Sequence, residues 1–237
     1  MAAVDQPSGD TRSNTLAGYL RPGTLRGRTT DAVTDALREA ILDGVLSPNA
    51  WLREDEIAST FEVSRTPVRE ALRRLADEGL AVKTAHHGTV VAPLSLEDIL
   101  ALYVVREDLE GLAARLAAVR CPPGLVEDLD RVGNEMRKAA AANDVAALSR
   151  LNLQWHRTLR EAAANTYLDR FLGQVEHAVR RLPASTYAHP GRPDEAVAEH
   201  DAVARAIEAR DADAAEKAAR KHMHRAREIR LSVLLGS

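Results

Sequence analysis

The pattern of apolar and polar positions is clearest between residues 64 and 79, where it predicts a helix with a marked start and end. Ser64 suits the N-cap position, Pro67 falls in the first turn, where a missing N–H costs little, and Gly79 suits the C-terminal stop. One face carries four apolar residues at helical spacing: Val68, Ala71, Leu72 and Leu75. We expect this face to pack against a core.

A row of arginines follows a second face of this helix. Arg65, Arg69 and Arg73 are spaced four residues apart, with Thr66 beside them. Guanidinium groups suit phosphate oxygens and the O6 and N7 edge of guanine. Most such rows are only a solvated surface, but Ser64, Arg65 and Thr66 are small or basic, as a helix end that approaches phosphate requires. We interpret the segment as a helix that enters a DNA groove.

The segments around this helix complete the pattern of a winged helix-turn-helix. Apolar periodicity predicts one helix from about residue 29 to 43 and another from 54 to 61. Only residues 62 and 63 separate the second helix from the arginine-bearing one, which is the spacing of a helix-turn-helix. Two short β-like runs at 80–84 and 89–92 then surround a polar tip and predict a hairpin, or wing.

Charged residues restrict the DNA-binding potential to one part of this domain. Residues 29–92 carry seven basic and eleven acidic side chains, a net charge of −4, and the whole chain has a formal net charge of −3. Residues 64–74 carry four arginines against Glu70, a net charge of +3. We therefore expect DNA binding that is weak away from the specific site and steeply salt-dependent, because neutralised phosphates release counterions.

The composition favours a mostly α protein. Hydrophobic residues make up 45% of the 237 residues and aromatic ones only 3%. No apolar run approaches the roughly 18 residues of a membrane span, and the N-terminus lacks the apolar segment of a signal peptide. The single cysteine, Cys121, cannot form an internal disulfide. We expect a cytoplasmic protein without a membrane partner.

Breaks in the apolar pattern divide the chain into three parts. Residues 1–28 have no sustained apolar period and are expected to form a flexible N-terminal arm, before a winged helix-turn-helix domain at 29–93. A capping box at Ser95 and Asp98 begins an all-α helical-bundle domain at 95–233. Its helices are predicted at 95–120, 124–142, 144–163, 165–181, 193–209 and 211–233.

Three histidines of the second domain lie where metal ligands would be useful. His200 and His222 each have small or apolar residues one turn away, so their rings emerge from faces that we expect to be buried. Asn152 and His156 are four residues apart and present two donor atoms to one point. Together these side chains suit zinc, nickel or manganese. Taken singly, each histidine is better explained by a core or surface position than by metal binding, so spacing alone does not establish a metal site.

Arg106 is the charged residue that the pattern places inside the bundle. Tyr103 and Leu109 lie beside it on the same predicted helix. A buried arginine requires an anion. Glu110, one turn further on, is one candidate, and the carboxylate of a bound effector is the other.

The segment from Trp51 to Leu72, continued by Glu78-Gly79-Leu80 and His87-Gly88, resembles the DNA-binding domain of the GntR family of bacterial transcription regulators. The resemblance implies that the operator is contacted by the residues at Arg65, Arg69, His87 and Gly88, with Thr66 near the DNA backbone. Arg73 joins this set from its position in the arginine row.

Residues 95–233 are similar to the FCD (fatty-acid-responsive C-terminal domain) type of GntR effector domain, an all-helical bundle. The resemblance implies that a divalent metal ion is bound in its pocket by the residues at Asn152, His156, His200 and His222. It also implies that a carboxylate effector bridges the metal and Arg106.

The sequence departs from these family patterns at three positions. Asp55 stands at about the place of a further operator-contacting arginine of some members, and the wing carries histidine where many relatives have arginine. Asn152 replaces the commoner aspartate, which removes a negative charge and should weaken metal binding.

The resulting hypothesis is a DNA-binding transcription regulator, acting as a homodimer on near-palindromic double-stranded operator DNA. It would be a repressor released by a small organic acid. In one alternative the helical domain serves only for dimerisation and its histidines are structural. In another the bundle is a metal-dependent enzyme, but di-iron bundles need Glu-x-x-His pairs, which the sequence lacks.

Overall fold

The structure is a computed structural model that describes residues 16–20, 29–84, 88–182 and 185–235. The chain separates into two compact units between Leu94 and Ser95, with the short segment 177–181 grouped with the first. Across the described ranges, no helix combines the length and the apolar character that crossing a membrane would require.

The first unit is a winged helix-turn-helix, as predicted. Its elements are α1 (Thr29–Leu42), α2 (Glu54–Thr60), α3 (Arg65–Asp77), β1 (Ala81–Thr84) and β2 (Gly88–Val91). The two strands pair antiparallel, with Ala81 opposite Val91 and Thr84 opposite Gly88. The predicted helix boundaries agree with these bounds to within about two residues.

Helix α3 is held from behind by its apolar stripe. The four predicted stripe residues are all buried: Val68, Ala71, Leu72 and Leu75. They share one core with Leu37 and Ile41 of α1. Gly79 has φ +74°, and Leu80 N–H donates to the Leu75 carbonyl at 2.8 Å, which ends the helix. Ser64 has the extended backbone of an N-cap, but its side chain makes no capping hydrogen bond.

Part of the predicted N-terminal arm belongs to the first unit. Leu16 is buried in the same core, and the Tyr19 hydroxyl donates to a carboxylate oxygen of Asp43 at 3.1 Å. The expectation of a flexible arm through residue 28 is therefore wrong for residues 16–20, because isolated apolar residues can dock without forming a periodic pattern. Residues 1–15 and 21–28 lie outside the described ranges.

The second unit is an all-α bundle. Helices α4 to α9 and one 3-10 turn follow in order: α4 (Leu96–Arg120), α5 (Leu125–Ala141), α6 (Val145–Ala163), α7 (Thr166–Arg180), the turn (Thr186–Ala188), α8 (Arg192–Glu208) and α9 (Ala212–Leu235). The last residues of α7, 177–180, are those grouped with the first unit. The predicted capping box is present, since Ser95 Oγ accepts from Asp98 N–H at 3.0 Å and the Asp98 carboxylate accepts from Ser95 N–H at 2.9 Å.

The core of this bundle supports the histidine-bearing helices. It draws on α4, α5, α6, α8 and α9, and its largest fully buried side chains include Met136, Leu148, Trp155 and Ile207. Trp155 precedes His156 on α6, and its ring stacks on the ring of His200 with centroids 4.2 Å apart. Packing of the bundle therefore fixes the orientation of the His200 ring.

Candidate functional site

The arginine-bearing face of α3 is exposed to solvent. Arg65, Arg69 and Arg73 lie on a different side of the helix from the buried stripe, and Ser64 and Thr66 are exposed at its N-terminal end. The predicted row of outward side chains is thus present. Its chemistry depends on what each guanidinium contacts within the unit.

Two of these arginines are held by the first turn of α2. Arg69 donates to the Glu54 carboxylate from Nε at 3.1 Å and from Nη2 at 2.8 Å. Arg65 Nε lies 2.9 Å from an Asp55 carboxylate oxygen. The hydrogen bond from Arg69 lowers the pKa of Glu54, so this carboxylate is ionised at neutral pH. Neither carboxylate partner was identified from the sequence.

Arg73 has a different environment. Its Nε and Nη2 donate to Glu70 at 3.0 and 2.7 Å, and its Nη1 donates to Asp77 at 2.7 Å. The hydrogen bond from Arg73 lowers the pKa of Glu70 to about 2. Two carboxylates of its own helix therefore offset the charge of Arg73. The positive potential at this end of the arginine row is lower than the sequence pattern indicated.

Of the two residues at the wing tip that are predicted to contact DNA, the structure describes Gly88. Gly88 begins β2, is exposed, and has φ +100°, a conformation that residues with side chains rarely adopt. A close approach of backbone to DNA is possible there, because no side chain intervenes. His87 lies outside the described residues.

In the second unit the structure brings together the three predicted histidines. His156 on α6, His200 on α8 and His222 on α9 each offer a ring nitrogen, and these three atoms lie within 4.8 Å of one another. Nε2 of His200 and Nε2 of His222 are 3.2 Å apart. The His156 and His222 rings are near-parallel, with centroids 5.4 Å apart. The arrangement has the donor types and the compactness of a metal centre.

Two carboxylates orient two of these rings. Glu110 on α4 lies 3.0 Å from His156 Nδ1, and Glu199 on α8 lies 2.6 Å from His222 Nδ1. Carboxylates that hold one ring nitrogen in this way fix the tautomer and leave the other nitrogen as a donor to metal. Within the described residues, buried His156 Nε2 has no hydrogen-bond partner. Such an atom is costly, and a bound cation would satisfy it.

The protonation states also suit a cation. Burial lowers the pKa of His200 and of His222 well below the usual value, so both rings are neutral at pH 7, as metal ligands must be. Burial alone would raise the pKa of Glu110, but its interactions with His156 and Arg106 outweigh burial and lower that pKa to about 2. The three histidines therefore fit a divalent ion.

Arg106 is buried, and Glu110 is its anion in the structure. Arg106 Nε donates to Glu110 Oε1 at 3.2 Å, and its guanidinium lies 5.8 Å from the centroid of the Tyr103 ring. Of the two partners expected from the sequence, the intrahelical one is thus present. Because the other oxygen of Glu110 contacts His156, Arg106 is coupled to the histidine cluster.

Asn152, the predicted fourth ligand, is already hydrogen-bonded. Its Oδ1 accepts from the Tyr187 hydroxyl at 2.8 Å. Burial raises the pKa of Tyr187, so this hydroxyl stays protonated and remains a donor. The amide oxygen has a second lone pair, so it keeps the capacity to bind a cation.

Sequence reasoning missed a buried ion pair beside the cluster. Arg192 at the start of α8 is almost fully buried, and its Nη1 lies 2.8 Å from Glu199 Oε2. The same guanidinium lies 3.3 Å from His222 Nδ1. A Gly-Arg-Pro sequence at a helix start gave no sign of burial, because the partners come from α8 and α9 together.

Comparison with known proteins identifies the family. The domain described as "Bacterial regulatory proteins, gntR family" matches residues 29–91, and the FCD domain matches residues 101–225. The "Probable D-xylose utilization operon transcriptional repressor" of Paenarthrobacter nicotinovorans is 34% identical over 198 residues, 83% of this chain and 87% of that protein. The chain belongs to the GntR family. The predicted resemblance is confirmed, and the chain is a DNA-binding regulator.

A second relative and a solved structure are also similar to this chain. The "HTH-type transcriptional repressor RspR" of Escherichia coli (strain K12) is 26% identical over 187 residues, 79% of this chain and 82% of that protein. The solved structure of E. coli McbR/YncC has a TM-score of 0.71 at 19% identity and covers 86% of this chain and 98% of that one. This likeness supports the fold, a winged helix-turn-helix followed by a helical domain.

Burial of neutral histidines predicts a pH-dependent stability for this GntR-family protein. The folded pKa values of His200 and His222 lie below their unfolded values, so the unfolded chain binds more protons at low pH. Their stabilisation is present above about pH 6.5 and is lost as the pH falls further, by up to about 1.4 kcal/mol per pH unit for each ring. In the presence of a metal chelator, the melting temperature should decrease as the pH is lowered from 7.5 to 5.5.

Two variants separate this effect from general acid sensitivity. His200→Gln should reduce the fall in melting temperature, whereas His224→Gln, which changes an exposed histidine of α9, should leave it as in the unmodified protein. The same fall in both variants would show that His200 does not contribute.

Proposed function

We propose that this protein is a repressor that binds a near-palindromic operator as a homodimer and is released by a small carboxylate held at a metal site. The observation that carries the sensing role is the convergence of His156, His200 and His222, with a buried nitrogen, His156 Nε2, that has no hydrogen-bond partner in the described part of the chain. The DNA-binding role is supported by family membership and by the exposed arginines of α3.

In the proposed complex, α3 enters the major groove. Arg65 and Arg69 are exposed near its N-terminal end, where they would reach base edges, and Ser64 and Thr66 would lie near phosphate. Gly88 would let the wing backbone approach the DNA closely. Arg73, with two carboxylates already bonded, would contribute less.

Arg69→Ala should lower the affinity for operator tenfold or more, because a bidentate contact to guanine is worth about 1–3 kcal/mol. The operator would be obtained by selecting duplexes from a random pool with the unmodified protein. Fluorescence anisotropy at fixed salt would give the dissociation constants.

Arg74→Ala is the matched control for this change. Arg74 lies on the same helix, carries the same charge, and pairs with Asp31 at 2.7 Å. It should keep affinity within a few-fold of the unmodified protein. Equal losses of operator affinity in Arg69→Ala and Arg74→Ala would mean that Arg69 contributes only its positive charge and makes no specific contact to a base.

A second copy of the chain is the proposed occupant of an apolar face on α4. Val105, Leu112 and Val119 are exposed and follow one another at seven-residue intervals, so they share one side of the helix, with Val104 exposed beside them. An uncovered apolar stripe of this length indicates an interface. A twofold dimer would present two copies of α3, as a near-palindromic operator requires.

His156, His200 and His222 would hold a divalent ion such as zinc, nickel or manganese, and Asn152 could add its amide oxygen. The ion, when bound, supplies positive charge and an open position for a carboxylate. Because Asn152 is neutral, it does not offset that charge. Glu110 and Glu199 orient the rings of His156 and His222, and Arg106 lies beside Glu110 as a further cation for the effector.

Metal content tests this half of the proposal. Protein purified without a metal-affinity tag should contain about one divalent ion per chain by elemental analysis, and the double variant His200→Ala, His222→Ala should contain almost none. Glu110→Gln should weaken zinc binding about 10- to 100-fold through the misoriented His156 ring. His224→Ala changes a residue on the exposed side of α9 and should keep the metal. Loss of metal in this variant would contradict the assignment of the site to His156, His200 and His222.

Reciprocal coupling tests the switch. A small organic acid that binds the metal-loaded protein should weaken operator binding by about 5- to 150-fold, and operator should weaken binding of the acid by the same factor. Calorimetric titrations with and without saturating partner would measure both factors. An acid that saturates the site without changing operator affinity would support the alternative in which the helical domain only dimerises.

A further inference from the structure

The bond between Arg69 and Glu54 occupies one edge of the guanidinium, and no other described residue bonds its second edge. Nε and Nη2 of Arg69 donate to the two oxygens of Glu54 at distances from 2.8 to 3.2 Å. A guanidinium has five N–H groups, so both N–H groups of Nη1 and one of Nη2 remain for another acceptor. The O6 and N7 atoms of guanine accept a pair of N–H groups with this spacing.

The side chains differ in how firmly they are held. Glu54 lies in the first turn of α2 and has 33% of its side chain exposed, whereas Arg69 has 71% exposed. The carboxylate is thus the fixed member of the pair, and the arginine extends from it into solvent. Arg65 has a looser counterpart of this pair: its Nε contacts Asp55, the residue after Glu54, at 2.9 Å, but the two side chains are about equally exposed, 64% and 63%.

We propose that Glu54 and Asp55 are positioning residues for operator recognition, each holding one edge of an arginine so that a free edge meets guanine. Exposed ion pairs add little to stability, so their effect is expected in the geometry of the arginines rather than in folding. Because both carboxylates also repel phosphate, they weaken binding to unrelated DNA. This inference rests on the proposed reading of DNA by α3.

Three neighbouring carboxylates of α2 allow a charge-matched experiment. Glu54→Gln, Asp55→Asn and Glu56→Gln each remove one negative charge from the same turn, but Glu56 pairs with Arg53 at 3.1 Å, which is not on α3. The dissociation constants for the selected operator and for a scrambled duplex of equal length would be measured at several salt concentrations. The readout is the ratio of the two constants.

Glu56→Gln should change both dissociation constants by the same factor and leave the ratio unchanged. Glu54→Gln and Asp55→Asn should reduce the preference for operator by about tenfold each, because an arginine that is no longer held loses part of its base discrimination. Glu54→Asp keeps the charge but shortens the side chain. It should lower the preference without strengthening binding to the scrambled duplex.

A ratio of the two dissociation constants that stays unchanged in Glu54→Gln and Asp55→Asn, while their melting temperatures match that of the unmodified protein, would overturn the positioning role. This result would still leave α3 as the helix that recognises DNA. If the unmodified protein selects no duplex at all, the proposed reading of DNA fails, and this assignment fails with it.

Discussion

Burying three imidazole rings side by side removes them from water and requires a partner for each ring nitrogen. In the second unit, charged residues of two helices, α4 and α8, supply partners for two of the rings. Glu110 holds His156 and is itself paired with Arg106, while Glu199 holds His222 and is paired with Arg192. Among the described residues, His156 Nε2 and His200 Nδ1 are left without a hydrogen-bond partner. The network thus determines which ring nitrogens face one another at the centre of the cluster, where the proposed cation would lie.

In the first unit, the distribution of charge determines how the domain can approach DNA. A domain with more acidic than basic side chains must still approach DNA, and it does so by concentrating arginines on one exposed face. Carboxylates of α2 and α3 contact those arginines, so the field that reaches DNA is weaker than the arginine count indicates. Discrimination between sites then depends on how each guanidinium is oriented as well as on its charge.

Periodicity and capping residues were enough to place the helices, because both are local properties of the chain. Ser95 with Asp98 and Gly79 marked ends that the structure reproduces. Partners that join different elements could not be found in this way. Glu54 is 15 residues from Arg69, and Glu199 is 23 residues from His222; whether such pairs meet depends on how the helices pack. The sequence predicts Asn152 as a metal ligand but not its hydrogen bond from Tyr187. Tyr187 lies in the short 3-10 turn before α8, where no apolar periodicity predicts its position.

Glu110 is the point at which a proposed effector would act on the rest of the protein. It bonds Arg106 through one oxygen and His156 through the other, so it joins α4 to α6. An effector carboxylate that bonded Arg106 would compete with Glu110 for the guanidinium, and a bound cation would change the charge that His156 presents to the same residue. Either event alters the forces on α4. This helix begins directly after the boundary between the units, so in the proposed switch a displacement of α4 would act on the chain segment that leads to the domain carrying α3. A ligand that bound equally well to both positions of α4 would produce no switch, however tightly it bound.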